Sequence, residues 1–270
     1  MLLPSTSNVA PNASANALQA GEILVRIHAD AVRATKETPA TAVHAGSRVF
    51  APVASRSGVA GVVEAVGDMP AGFGPGDEVF GVTVPRLLRP GTERAVLLAS
   101  RLAHKPRQLA FAEAAILPSP AVTAWQMLFE HGRLERGETV VVLGADRPVG
   151  AFAVQLARAH GVRNVALASS RHARTLRALG ADLVIDASPR VLEVACKHAA
   201  VVVDAAGGFL LPRALGALGS GCILVSCVAR PEASLLATSR AHFSLCVADV
   251  TAPRLARIAA LVDAGLLIKV

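Results

Sequence analysis

The sequence contains no tyrosine, few aromatic residues (3%) and no long uncharged apolar run. The missing tyrosine excludes every mechanism in which a tyrosine hydroxyl donates the proton. A transmembrane helix needs roughly 18 or more consecutive apolar residues, and no stretch supplies them, so we expect no membrane span. The first 20 residues lack the basic segment and apolar core of a secretory signal, and we therefore expect a cytoplasmic protein.

Cysteine is also scarce in this chain. The four cysteines lie in the last third of the sequence, at no spacing typical of a metal site; they are Cys196, Cys222, Cys227 and Cys246. This pattern argues against a structural zinc site and against a disulfide framework. We predict that all four are buried and behave as small apolar residues.

Acidic residues are fewer than basic ones, 20 against 27, and the formal net charge is +7. The basic residues are mostly arginines, and they are spread along the chain without forming a stripe. Since aromatic residues for base stacking are few as well, the composition does not favour nucleic-acid binding. A small ligand that carries phosphate would be attracted by the same positive field.

The first part of the chain has the sequence pattern of a β domain. Residues 1–20 are rich in Ala, Asn, Ser and Pro without periodicity, and we predict a disordered leader there. Residues 21–110 contain short stretches of strand character broken by Gly and Pro. Strands are predicted at 22–29, 59–66 and 93–98, with another after the glycine-rich turn at 72–81. Together they indicate a small β-barrel-like domain.

From residue 111 onward the sequence pattern changes, because predicted strands and helices alternate. Strands are predicted at 139–144, 164–169, 183–186, 200–204 and 222–226, and helices at 112–115, 122–131, 149–160, 171–179, 191–198, 209–218 and 253–264. Pro118 and Pro120 are expected to end the first of these helices. The alternation predicts an α/β fold with a doubly wound parallel sheet, a Rossmann-type domain over residues 111–270.

One stretch, residues 138–161, organises this second domain. A valine-rich apolar run without alternation is followed by Gly144, and apolar residues then recur at three- and four-residue steps. This pattern predicts a strand, a tight turn and a helix, the first half of a βαβ unit. Such a turn can bind phosphate, because the free N–H groups and the positive end of the helix dipole point towards it.

Several motifs occur in the order found in one known family. They are GEILVRIHADAV from Gly21, GVAGVVEAVG from Gly58, GFGPGDEVFG from Gly72, AAILPSPAVTAWQML from Ala114, GETVVVLGA...VGAFAVQLARAHG from Gly137 and LRALGADLVID from Leu176. With these motifs the chain after residue 20 resembles the zinc-independent medium-chain dehydrogenase/reductases of the NADPH:quinone oxidoreductase kind. The resemblance implies a GroES-like β domain before the Rossmann domain, NADPH as cofactor, a quinone or activated enone as small-molecule substrate, and a homodimer.

The resemblance also leads to two expectations about the β domain, that it binds no metal and that it is truncated. This region has no cysteine, and Gly58 stands near the place where the zinc-dependent branch begins a Gly-His-Glu ligand motif, so we expect no metal. His28 and His44 are interpreted as surface or packed histidines. Relatives continue past the helix at 253–264 and return to complete the β domain. We therefore expect a truncated domain with unpaired edges, covered by a partner chain or belonging to a reduced copy.

The family places the diphosphate of the cofactor at one turn, and the residues implied there are Gly144, Ala145, Val149 and Gly150. Relatives read Gly-Ala-Ala-Gly-Gly-Val-Gly at this turn.

This chain departs from that pattern at Asp146, Arg147 and Pro148. Pro148 has no N–H to donate, although proline is acceptable at the first position of a helix. Arg147 either replaces a lost backbone contact with a guanidinium–phosphate pair or fills the space of the diphosphate. Asp146 adds a negative charge where phosphate must lie.

Three residues at the end of the second predicted strand of the sheet, Ser169, Ser170 and Arg171, bear on the choice of cofactor. No Asp or Glu stands there to bind a ribose 2′-hydroxyl, and hydroxyls with an arginine suit the 2′-phosphate of NADPH. Arg174 is a further candidate. The alternative interpretation is a serine cap on the following helix with solvated arginines.

Three more cofactor residues are predicted. Thr123 matches a family threonine near the nicotinamide, whereas Gly207 and Ser226 follow the fourth and fifth strands at the carboxyl edge, where ligands bind. We name no catalytic residue, and Arg33 stands where relatives usually have the asparagine that lines the substrate pocket. The leading hypothesis is an NADPH-dependent oxidoreductase. The alternatives are a catalytically silent relative that acts as an interaction module, and a dinucleotide-binding protein that senses redox state without turnover.

Overall fold

The structure is a computed structural model, and it describes residues 18–31, 57–68, 72–83, 93–186, 188–239 and 241–268. The predicted leader lies outside the described residues except for its last three, and so do Arg33 and His44. Two compact units are present. The first contains the described residues up to Ser119 together with Val250–Ala260, and the second contains Pro120–Asp249 and the described residues from Leu261 onward. The predicted domain boundary after residue 110 stays a prediction.

An antiparallel sheet forms the first unit. Its strands are β1 (Glu22–Asp30), β2 (Ser57–Val66), β3 (Glu78–Thr83), β4 (Arg94–Leu98) and β5 (Leu102–His104), in the order β4-β1-β2-β3-β5. A 3₁₀ turn, Ala99–Arg101, joins β4 to β5. The four predicted strands are confirmed within a few residues, whereas β5 was not predicted, because three residues are too few to show a period.

A short helix, α1 (Phe111–Ile116), packs on this sheet. The packing depends on Gly58 in β2, since a β-carbon at that position would collide with the carbonyl oxygen of Ala115. The core of the unit consists of side chains from alternate strand positions; it contains Ile23, Val25, Val59, Val63, Val79, Ala95, Leu97 and Leu102. Residues between these positions, such as Leu24 and Phe80, are buried as well, so burial is not confined to one face of the sheet.

A six-stranded parallel sheet forms the centre of the second unit. Its strands are β6 (Thr139–Leu143), β7 (Arg163–Leu167), β8 (Leu183–Ile185), β9 (Val201–Asp204), β10 (Ile223–Ser226) and β11 (His242–Leu245). Their order is β11-β10-β9-β6-β7-β8, and every pairing is parallel. The chain winds outward first on one side of β6 and then on the other, which is the doubly wound topology. The predicted α/β fold class is confirmed.

The remaining helices follow α1 along the chain, and most of the last of them belongs to the first unit. They are α2 (Pro118–Trp125), α3 (Pro148–Ala159), α4 (Ala173–Leu179), α5 (Pro189–Lys197), α6 (Leu210–Ala217), α7 (Ala233–Thr238) and α8 (Ala252–Asp263). Apolar residues of the central strands are fully buried, as Val140, Val141 and Val202 show. This burial on both faces explains why the sequence runs through β6 and β9 without alternation. Within the described residues no helix is both long and apolar enough to cross a membrane.

The structure corrects the prediction around the prolines. Pro118 begins α2 instead of only ending the preceding helix, because the first turn of a helix needs no N–H from that position. The helix predicted at 122–131 is the end of α2 followed by a π-helical turn, Gln126–His131. Strand β11 and helix α7 were not predicted either.

All four cysteines are buried and none forms a disulfide. Burial raises the pKa of the Cys196 and Cys227 thiols to about 12 and that of Cys222 to about 11. The prediction that they behave as small apolar residues is confirmed.

Candidate dinucleotide-binding site

The candidate site lies at the carboxyl edge of the parallel sheet, where β6 and β9 are neighbours and the winding direction reverses. Ligands of doubly wound sheets bind at such a point. The two strand ends are held together, because the Ala205 N–H donates to the Leu143 carbonyl at 3.0 Å. Gly144 then touches the β9 loop, since a β-carbon at position 144 would lie 2.8 Å from Cβ of Ala206.

The turn from β6 into α3 keeps the geometry of a phosphate-binding turn. Gly144 has φ +74°, and its carbonyl accepts the Arg147 N–H at 2.9 Å. A β-carbon at Gly150 would collide with that carbonyl oxygen and lie 2.8 Å from Cα of Ala145. Glycine at position 150 therefore allows the helix to approach the strand closely, which is the role of the last glycine in a dinucleotide fingerprint.

Two backbone donors remain available at this turn. The first helical hydrogen bond joins the Ala151 N–H to the Arg147 carbonyl, so the N–H groups of Val149 and Gly150 precede the helical ladder. Pro148 occupies the first helical position and has no N–H. Free N–H groups and the helix dipole together attract an anion. The turn thus fits the diphosphate of a dinucleotide. It offers one backbone donor fewer than a turn with glycine in place of Pro148.

The three residues that depart from the family pattern are all exposed. The Arg147 guanidinium has no ion-pair partner within the described part of the chain. Asp146 Oδ2 lies 3.1 Å from His172 Nδ1, an ion pair when the imidazole is protonated. This contact joins the β6 turn to the 3₁₀ turn after β7, Ser170–His172, and sequence reasoning missed it because 25 residues separate the two. With a protonated imidazole, this contact gives the Asp146 carboxylate a partner of opposite charge.

The loop after β7 presents polar groups to solvent. Ser169, Ser170 and Arg171 are exposed, and none of their side chains has a hydrogen-bond or ion-pair partner among the described residues. Ser169 precedes the 3₁₀ turn without making a side-chain cap bond. The serine cap of the alternative interpretation is therefore absent from this turn, although its solvated arginines are present. Two hydroxyls and a guanidinium remain available to a phosphate group.

The loops after β9 and β10 are organised by a carboxylate that the sequence analysis did not single out. Asp204 is fully buried, and its Oδ1 accepts the N–H groups of Ala206 and Gly207 at 3.0 and 2.7 Å. Its Oδ2 accepts the Ser226 hydroxyl at 2.7 Å. The same hydroxyl oxygen accepts the N–H groups of Val228 and Ala229 at 3.1 and 3.2 Å. Burial raises the pKa of Asp204, against the opposing effect of these hydrogen bonds.

This network changes the interpretation of two predicted cofactor residues. The hydroxyl of Ser226 has one proton and two lone pairs, and all three are used inside the protein. The N–H of Gly207 is used as well. Both residues shape the carboxyl edge, and neither has these groups left for a ligand. Thr123 is fully buried in α2, and its contact with the nicotinamide stays a prediction.

The prediction that the chain binds no metal is tested only in the described residues. Among the residues that the structure describes, no group of three or more His, Cys, Asp or Glu side chains is arranged to hold a metal ion. The absence of zinc stays a prediction.

The fold and this edge define a nucleotide-binding Rossmann protein preceded by an antiparallel β unit, and comparisons with known proteins agree. No family model matches the chain. Over 132 residues it is 37% identical to the mitochondrial NAD(P)H oxidoreductase RTN4IP1 of Mus musculus, covering 47% of this chain and 33% of that protein. Over 162 residues it is 32% identical to the quinone oxidoreductase of Rattus norvegicus, covering 58% and 47%.

A longer match is found in a fungus. The chain is 31% identical over 227 residues to a probable mitochondrial zinc-binding oxidoreductase of Arthroderma benhamiae, covering 78% of this chain and 67% of that protein. A crystal structure of an alcohol dehydrogenase superfamily protein from Novosphingobium aromaticivorans matches with a TM-score of 0.75 and 28% identity, over 95% of this chain and 83% of that one. The chain belongs to the medium-chain dehydrogenase/reductase family, among its quinone oxidoreductase-like members. It spans a third of the mouse protein and about half of the rat protein.

Proposed function

We propose that this protein is an NADPH-dependent oxidoreductase that transfers hydride to a quinone or an activated enone. The observation that carries the proposal is the open edge after β6 and β7. There, two N–H groups at the start of α3 and the side chains of the exposed arginines Arg147 and Arg171 have no hydrogen-bond or ion-pair partner among the residues that the structure describes. Such an edge suits a ligand that carries a diphosphate and a further phosphate.

The preference for NADPH rests on the loop after β7. A protein that selects NADH places a carboxylate at this loop to accept the ribose 2′-hydroxyl, and residues 168–171 contain none. The charge and donors of Ser169, Ser170 and Arg171 complement a 2′-phosphate instead. Arg174 is also exposed and supports the same charge.

The division of labour between cofactor and chain follows from the residues present. The bound nicotinamide would supply the hydride. The turn from Gly144 to Gly150 would hold the diphosphate, and the loops after β9 and β10 would form the edge beside it. The substrate class is carried over from the rat relative, which is a quinone oxidoreductase. We assign no side chain as proton donor, because solvent can supply the proton to a reduced quinone.

The first test is a titration of NADPH fluorescence with the purified protein, followed by NADPH oxidation with a panel of quinones and enones. We expect saturable binding and quinone-dependent oxidation. No binding at millimolar NADPH would overturn the proposal. Gly216→Ala, in an exposed part of α6 with open space around it, serves as the variant that should bind as the wild type does.

A second candidate function rests on the departures at Asp146, Arg147 and Pro148. A turn that has lost a backbone donor and gained a carboxylate can belong to a catalytically silent relative, acting as a dinucleotide sensor or a protein-interaction module. Saturable NADPH binding without oxidation by any acceptor of the panel would favour this candidate. Binding with turnover excludes it.

The assembly and location stay predictions. We propose a homodimer, for which β11 at the edge of the parallel sheet offers unpaired backbone groups to a second copy. Sedimentation at several protein concentrations tests this, and a monomer at all of them would contradict it. We also expect the protein in the cytoplasm.

A further inference from the structure

Asp204 stands out because a single buried carboxylate ends β9 and binds the loops after two different strands. One of its oxygens accepts two N–H groups of its own loop, and the other accepts the Ser226 hydroxyl from the end of β10. Three donors thus meet at one carboxylate, and both of its oxygens are hydrogen-bonded. A network of this kind fixes geometry, because any displacement leaves a buried polar group unpaired.

The network reaches the diphosphate turn through Ala206. The N–H of Ala206 is held by Asp204 at 3.0 Å, and the side chain of Ala206 lies against Gly144. A β-carbon at Gly144 would be 2.8 Å from Cβ of Ala206 and 3.0 Å from its nitrogen. The position of Ala206 therefore sets one wall of the turn between β6 and α3.

The network also joins the β9 loop to the β10 loop. Ser226 holds the backbone of Val228 and Ala229, and Val228 packs against Gly207, where a β-carbon would lie 2.8 Å from its Cγ1. Gly207 is in turn held by Asp204 at 2.7 Å. The loops after β6, β9 and β10 are thus connected by direct contacts that start at one carboxylate.

We propose that Asp204 is a positioning residue for the dinucleotide site: it fixes these three loops against one another, so that the diphosphate turn is formed before the ligand arrives. This inference rests on the proposed function and adds a residue that touches no part of the ligand. Within the described residues, the side chains of Ser169, Ser170 and Arg171 in the loop after β7 make no hydrogen bond to Asp204 or Ser226. This loop meets the β6 turn through Asp146 and His172 instead, and its phosphate-binding groups should act independently of Asp204.

The carboxylate is required because of the pattern of donors. Asparagine at position 204 could accept the two backbone N–H groups with its oxygen, but its NH₂ group would then face Ser226 Oγ. Both lone pairs of that oxygen are already occupied, and the hydroxyl proton would lose its acceptor. Asp204→Asn therefore keeps the shape of the side chain and breaks the link between the β9 and β10 loops.

The experiment compares two ligands on the Asp204→Asn variant. NADPH needs the diphosphate turn, whereas adenosine 2′-monophosphate has no diphosphate and depends on the loop after β7. We expect the affinity for NADPH to fall about tenfold and the affinity for adenosine 2′-monophosphate to stay within about twofold of the wild type. Circular dichroism and urea unfolding establish the fraction folded under the conditions of the titration.

Asp182→Asn is the matched control. Its carboxylate also accepts a backbone N–H and a side-chain donor, both from Asn164, but it lies at the amino edge of the same sheet. It should leave both affinities unchanged. If Asp204→Asn does not fold, Ser226→Ala serves instead, because it removes the β10 loop from the network. It should lower the affinity for NADPH about threefold and leave the affinity for adenosine 2′-monophosphate unchanged.

The outcomes separate this inference from the function on which it rests. Equal NADPH affinity in wild type and variant, or an equal loss for both ligands in folded protein, would overturn the positioning role alone. A wild type that binds NADPH supports the proposed function whatever the variant does. A wild type that binds neither nucleotide would overturn the proposed function and the positioning role with it.

Discussion

The winding direction of the parallel sheet reverses between β6 and β9, and the two sides of this point differ in how their polar groups are used. On the side of β9 and β10, the carboxylate of Asp204 and the hydroxyl of Ser226 are buried and hydrogen-bonded inside the protein. On the side of β6 and β7, Arg147, Ser170 and Arg171 are exposed, and within the described residues they have no side-chain partner. The first side is built as a scaffold and the second as a surface that can receive charge.

This difference separates residues that lie at the carboxyl edge from residues whose polar groups there are free for a ligand. Gly207 and Ser226 lie where a dinucleotide fold binds its cofactor, yet the N–H of one and the hydroxyl of the other serve the protein. Substitutions on the scaffold side should therefore change stability and shape. Substitutions on the open side should change affinity and cofactor choice.

The largest effect is expected at Gly150, where scaffold and open side meet. Gly150→Ala places a methyl group against the Gly144 carbonyl and 2.8 Å from Cα of Ala145, and both neighbours are backbone. We expect loss of NADPH binding and about 3 kcal/mol of destabilisation, measured by titration and urea unfolding.

The matched control for this change is Gly216→Ala in α6, where the new β-carbon meets no atom within 4 Å. It should raise the free energy of unfolding by roughly 0.5–1 kcal/mol. Unaltered NADPH affinity in Gly150→Ala would show that the turn tolerates a wider separation than its geometry indicates.

Arg171→Ala tests the open side. Removal of the guanidinium should weaken NADPH about thirtyfold, because a charged hydrogen bond to the 2′-phosphate is lost, and should leave NADH unchanged. Fluorescence titration with both nucleotides measures the ratio. Arg163→Ala, at the amino end of the same strand, should affect neither. An equal loss for both nucleotides would contradict the assignment of NADPH.

Ser226→Ala tests the scaffold side. The change leaves Asp204 Oδ2, the buried N–H of Ala229 and the half-buried N–H of Val228 without their partner, and we expect about 1.5 kcal/mol of destabilisation in urea unfolding. Ser170→Ala, the same substitution on the open side, should change the free energy of unfolding by less than about 0.5 kcal/mol. Equal stability of the two variants would remove the distinction between the sides.

The buried carboxylate also predicts a pH dependence. Burial raises the pKa of Asp204 above its ordinary 3.8. The folded chain then keeps this proton at pH values where the unfolded chain has released it. Stability from Asp204 should therefore fall as the pH rises above about 3.8, by at most ~1.4 kcal/mol per pH unit, until the folded group ionises. Urea unfolding of wild type and Asp204→Asn across this range isolates the effect, and parallel curves would contradict it.

The smallest effect is expected at Arg147. Arg147→Ala should weaken NADPH and NADH equally, about threefold, because an exposed guanidinium adds modestly to the binding of the diphosphate that both share. Arg158→Ala, at the other end of α3, is the control. Tighter binding after Arg147→Ala would mean that the side chain occupies the diphosphate space.

The sequence predicted the fold where the physical cause is local. The valine run of β6 shows burial on both faces, and the alternation in β1 predicts a strand, although its first four residues are all buried. The positions of glycines in the diphosphate turn and the absence of a carboxylate after β7 are local too. These features were sufficient for the α/β class and for most of the order of elements, whereas the cofactor contacts of the candidate residues stay predictions.

Features that depend on distant partners could not be predicted in this way. Asp204 and Ser226 are 22 residues apart, and neither residue's neighbours show that the other will be its partner. The pairing of Asp146 with His172 has the same character. Strand β11, His242–Leu245, is an edge strand of mixed polarity, so it lacks the apolar run that marks β9, a strand of the same length.

The buried thiols have a practical consequence. Three of the four carry raised pKa values and the fourth, Cys246, is also buried, so none should react readily with maleimides at neutral pH. A cysteine introduced at the exposed position 170 would then be the one labelling site in the whole chain. A dye attached there would lie in the loop after β7, at the proposed adenosine side of the candidate site. Its signal would report nucleotide binding without a contribution from dye on other cysteines.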